Sequence, residues 1–96
     1  MEEIIYEQIT NDNLDKYKDL MLSMIYEELS REDSIETEYL ALATLMGDKP
    51  VGVIVADPEE TGDINILSVW TDYDHRRQGV ASGLFSKLME VVLGLS

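Results

Sequence analysis

The residues with the plainest chemical promise are Arg76-Arg77-Gln78-Gly79-Val80-Ala81-Ser82. They follow an apolar, β-branched run, Ile64-Asn65-Ile66-Leu67-Ser68-Val69-Trp70-Thr71, and precede Leu84, Phe85, Leu88, Met89, Val92 and Leu93, which recur at helical spacing. The pattern predicts a strand, a basic glycine turn and a helix. Such a turn favours an anion. The first N–H groups of a helix have no partner inside it, and the aligned peptide dipoles place partial positive charge there. Gly79 and Ala81 present little side chain, so a phosphate could reach the main chain, and Arg76 and Arg77 add two fixed charges. Gly79 and Gly83 also stand four apart on one helical face, a spacing that serves close packing on a sheet equally well. Competing motifs are missing: there is no Gly-Lys-Ser/Thr, no Gly-x-Gly-x-x-Gly and no Gly-x-Ser-x-Gly.

Arg76-x-x-Gly79-x-Ala81, placed between an apolar strand and an amphipathic helix, resembles the pyrophosphate-binding motif of the GCN5-related N-acetyltransferases (GNAT), an acyl-CoA-dependent superfamily. The resemblance implies acetyl-CoA as cosubstrate. It puts the pyrophosphate on the amides of Arg77, Gln78, Gly79, Val80, Ala81 and Ser82, beside the Arg76 guanidinium, and the pantetheine arm on the backbone of Val69, Trp70 and Thr71. It also implies a β-bulge in the strand ahead of the turn, and direct attack of a neutral amine on the thioester. Some members carry a glutamate in that strand as base; the comparable position here is Asn65, and no catalytic residue is named. The family fold continues beyond this helix, so the resemblance covers about its N-terminal two thirds.

These residues need elements to position them. At 96 residues the chain is one small domain, and its 45% apolar share predicts a folded core. The absence of cysteine excludes disulfides, thiolate metal sites and a cysteine acyl-enzyme, and fits a reducing cytoplasm. Twenty acidic residues against seven basic give a formal charge of −13. That balance argues against nucleic acid and anionic membranes as partners; it would attract a cationic or amine-bearing one, and it equally serves solubility. No apolar run approaches the ~20 residues that span a bilayer, and the start is acidic, so a soluble cytoplasmic protein without leader or anchor is expected.

In chain order, Ile4, Ile5, Tyr6 and Ile9 predict a first strand, closed by Thr10-Asn11-Asp12-Asn13. Leu14, Tyr17, Leu20, Met21, Met24, Ile25 and Leu29 predict one amphipathic helix ending near Ser30. Residues 31–38 fit a short second helix or a loop. Two strands, 39–46 and 51–56, joined by Gly47-Asp48-Lys49-Pro50, form a hairpin, and the strand 63–71 returns antiparallel after a second turn. The expected fold is α+β, β-α-(α)-β-β-β-α, a four-stranded mostly antiparallel sheet with helices packed on it.

Along the last strand the apolar parity changes. Ile64 and Ile66 share one face, while Leu67, Val69 and Thr71 fall on the other. A bulge between Ile66 and Ser68 would restore one face; a strand buried on both faces would make parity irrelevant. With no strand beyond it, residues 64–71 would be an exposed apolar edge, for which a second copy is the expected partner, giving a homodimer. Two functions fit: an N-acetyltransferase acting on an amine, or a noncatalytic relative serving as an acyl-CoA-binding or dimerisation module. Asp63, Asp72 and Asp74 are expected to be solvated turn residues, and His75 and Trp70 to have packing or surface roles.

Overall fold

The computed structural model describes residues 4–31, 38–59, 62–75 and 79–94. Four strands form one sheet in the order β1 (Ile4–Gln8), β2 (Leu40–Met46), β3 (Lys49–Pro58) and β4 (Ile64–Thr71), each antiparallel to its neighbour. Helix α1 (Ser23–Leu29), with a preceding 3-10 helix (Leu14–Leu20), covers one face, and α2 (Val80–Val92) covers the other.

The central strands read as near-continuous apolar runs because both faces are covered. Ala41, Ala43, Leu45, Val53 and Val55 pack with Leu14, Tyr17 and Leu29. Leu40, Leu42, Val51, Ile54 and Ala56 pack with Val80, Leu84 and Leu88, the buried stripe of α2 at every fourth position. Each such fully buried side chain contributes roughly 1.5–3 kcal/mol, so these three residues fix α2 over β2 and β3.

The single helix expected over Leu14–Leu29 is broken. Met21 and Leu22 are extended (φ −144°, ψ 160° and φ −63°, ψ 145°), separating the 3-10 helix from α1. No Gly or Pro marks the break; tertiary bonds do. The Tyr26 hydroxyl donates to Asp15 Oδ1 at 2.5 Å, eleven residues back. A continuous helix would hold those positions about 16.5 Å apart along its axis (11 × 1.5 Å), so the bond requires the chain to fold back. Tyr17 is fully buried, and its hydroxyl donates to Glu7 Oε1 at 2.5 Å, anchoring the 3-10 helix to β1. The second helix or loop anticipated over residues 31–38 falls largely outside the described residues.

The bulge in β4 is present. Ser68 pairs with Val55 and Ile66 with Ala56, leaving Leu67 without a cross-strand partner. Ile64, Ile66, Val69 and Thr71 thereby sit opposite Pro58, Ala56, Ile54 and Gly52. The parity change is a one-residue insertion, and the strand is not buried on both faces: Ile66, Leu67 and Val69 are about 40% exposed (39%, 39% and 41%).

Candidate functional site

The chain turns sharply after β4 through a short 3-10 helix (Tyr73–His75) and enters α2 at Gly79. Between the end of β4 and the start of α2 lies a cleft of about 460 Å3, lined by Val69, Trp70, Thr71, His75, Gly79, Val80, Ala81 and Ser82. Seven of the ten residues that the sequence nominated for a cofactor thus face one cavity. The other three, Arg76, Arg77 and Gln78, lie outside the described residues.

Gly79 caps α2 with φ 77°, ψ 14°, in the left-handed region, and among the described residues a Cβ built there would meet nothing within 4 Å. Its glycine character therefore serves the backbone turn and an open approach, not packing. The packing alternative applies to Gly83 instead, where a Cβ would collide with the hydroxyl of Tyr6 on β1. The first helical bond runs from the Gly83 N–H to the Gly79 carbonyl at 2.9 Å. The N–H groups of Val80, Ala81 and Ser82 precede that ladder and have no acceptor within α2. Ala81 is half-buried and Ser82 exposed, so no bulky side chain of the helix closes this corner.

Asp72 differs from expectation. It is half-buried, with Oδ2 2.7 Å from His75 Nδ1 and 3.6 Å from Lys49 Nζ, and its N–H donates to the Val51 carbonyl at 2.9 Å. The His75 hydrogen bond, aided by the Lys49 ammonium and opposed by desolvation, holds the Asp72 carboxyl below the ordinary aspartate range. Among the described residues of the cleft, His75 is the titratable side chain, and Asp72 fixes its ring. The available signal was the three-residue spacing of Asp72 and His75, which a tight turn brings to one side. Trp70 packs on the α1-side core, as expected, and also lines the cleft. Asn65 stands away from it, its Nδ2 donating to Glu59 Oε1 at 2.5 Å.

Among the described residues, no group of three or more His, Asp or Glu is arranged to hold a metal, and no helix is long and apolar enough to cross a membrane.

The sequence model described as Acetyltransferase (GNAT) family matches residues 3–95. No curated protein matches. Among solved structures, the aminoglycoside N-acetyltransferase AAC(6')-Iy in complex with CoA superposes with a TM-score of 0.76 at 11% identity, over 100% of this chain and 73% of that one. The aminoglycoside acetyltransferase meta-AAC0020 from an uncultured soil metagenomic sample, in complex with sisomicin, gives 0.72 at 13% identity over 95% and 70%. A ribosomal-protein-alanine N-acetyltransferase from Brucella melitensis biovar Abortus 2308 gives 0.70 at 18% identity over 92% and 70%. At these identities the likeness establishes the fold.

Proposed function

The chain belongs to the acetyltransferase (GNAT) family, and from that membership we propose that it transfers the acetyl group of acetyl-CoA to a primary amine. The supporting observation is the cleft itself, where Val69–Thr71 of an edge strand meet the open amino end of α2 behind a left-handed Gly79. The CoA pyrophosphate binds the N–H groups of residues 79–82, and Arg76 and Arg77 offset the repulsion that a chain of formal charge −13 exerts on an anionic ligand. The pantetheine arm lies along the outer edge of β4, which among the described residues no strand pairs, and adds its amides as a strand would.

The neutral amine nitrogen attacks the thioester carbonyl carbon. A backbone N–H stabilises the oxyanion, and the C–S bond breaks as CoA departs as thiolate. The amine loses one proton and the thiolate gains one; because the amine attacks the thioester directly, no covalent enzyme intermediate forms, in keeping with a chain that has no cysteine. We assign His75 to shaping the turn and name no catalytic base. A second copy pairing through this open edge of β4, where Ile66, Leu67 and Val69 are exposed, would compete with the pantetheine arm for the same backbone groups.

Calorimetric titration with CoA tests the site without requiring the acceptor. Saturable binding at one site per chain is expected, and Gly79→Glu should weaken it at least tenfold by placing a carboxylate at the pyrophosphate and straining the turn. Unchanged affinity in that variant would remove the assignment. A noncatalytic acyl-CoA-binding relative would bind CoA yet release no thiol with any of a panel of amines.

A further inference from the structure

We infer that the acceptor amine carries a second positive charge and that Asp19 selects for it; this rests on the acetyltransferase reading. A second cleft, of about 450 Å3, lies between the break after the 3-10 helix and the bulged part of β4, lined by residues 19–22 and 67–70. It shares Val69 and Trp70 with the first cleft, so both border β4 at those two residues. With CoA in the first cleft, an acyl group at that junction is open to an amine arriving through the second.

Among the residues lining this second cleft, Leu20, Met21, Leu22, Leu67 and Val69 carry aliphatic side chains, and Asp19 is the charged one. Neighbouring carboxylates are engaged: Asp15 accepts from Tyr26, and Glu28 accepts from Tyr39 and pairs with Arg31. The Lys18 Nζ stands 5.2 Å from the Tyr26 ring centroid. Among the described residues none forms a hydrogen bond or ion pair with Asp19. Asp19 also borders a third cleft, of about 430 Å3, lined by Lys18 and Glu27 as well. A free carboxylate at the end of a wall of Leu20, Met21, Leu22 and Leu67 matches a particular ligand shape. That shape has a reacting amine at the junction, an apolar spacer along the wall and a distal ammonium on Asp19. The ligand class is a short diamine or polyamine. The formal charge of −13 would draw such a cation towards the protein.

The test compares cadaverine with pentylamine, matched in carbon count, as acceptors at saturating acetyl-CoA, read by thiol release. The expected kcat/KM is about threefold to fivefold higher for cadaverine, the upper end of what one contact at an exposed carboxylate contributes. Asp19→Asn should erase that preference through KM with kcat on cadaverine little changed, and Asp19→Glu should retain most of it. Equal kcat/KM for the two amines, or a preference that survives Asp19→Asn, overturns the inference alone. Turnover of neither amine overturns the inference alone, and the acetyltransferase reading falls only if thiol is released with no amine of the wider panel, while CoA titration shows whether the first cleft still binds its ligand.

Discussion

Asp72 joins the end of β4 to the cleft through three bonds: its N–H to Val51, and its carboxylate to His75 and Lys49. Its folded-state pKa lies below the ordinary value of 3.8, chiefly through the His75 hydrogen bond. A carboxyl depressed on folding contributes stability above its unfolded pKa and loses it as pH falls through the folded value. The stability advantage of the wild type over Asp72→Asn should therefore be present above the ordinary aspartate range and decline as pH falls below it through the lower folded-state value. Urea denaturation across that range checks it; a difference that grew on acidification would contradict the pairing. Gly79 was legible from its place between strand and helix, because a left-handed turn at a helix start demands that residue type. The Asp72–His75 pair was not, because acidic residues abound in this chain and their partners depend on how the turn closes.

At the scale of elements, the distance between α2 and the sheet is set by Gly52. A Cβ there would stand 2.5 Å from Val80 Cγ1 and 2.9 Å from Leu84 Cδ1, both on buried residues of α2. Gly52→Ala should cost about 2–3 kcal/mol, since the helix must lift or the side chains leave their rotamers. Gly83→Ala faces only the tip of Tyr6, which is 38% exposed and free to swing away. There the helix-propensity gain of about 1 kcal/mol offsets the displacement, so the net change should lie within about 1 kcal/mol of zero. Chemical denaturation of both variants measures the contrast. Equal losses would mean that α2 is held by something other than its seat on Gly52. The bulge in β4 could be anticipated from parity, since a period of two exposes an inserted residue. The break at Met21–Leu22 could not, because the spacing of Leu14, Tyr17, Leu20 and Ile25 suits a helix and the deciding bonds join residues far apart in sequence.

For the whole molecule, the sheet leaves two edges, β1 and β4, and apolar side chains stand exposed on both: Ile4 at 54%, Ile5 at 45%, and Ile66, Leu67 and Val69 near 40% (39%, 39% and 41%). Unpaired strand edges recruit strands. Pairing through β4 should appear in light scattering as a dimer whose population grows with protein concentration and with salt, since two chains of formal charge −13 repel each other at low ionic strength. Ile66→Lys should shift it to monomer, and a wild type that remained monomeric at high concentration and high salt would exclude the pairing.

The amino-acid sequence by itself determined the strand, turn and helix that frame the candidate cleft, the antiparallel hairpins and the acidic character of the chain. These depend on local periodicity, turn residues and charge counts, each read within a few neighbouring positions. Only the tertiary structure decided that Gly79 is open while Gly83 is packed, that the first helical region breaks to bring Tyr26 back to Asp15, and that Asp19 faces the bulge across a second cleft. Those outcomes depend on which distant side chains meet, and hydrogen bonds and close packing between remote segments leave no period in the sequence.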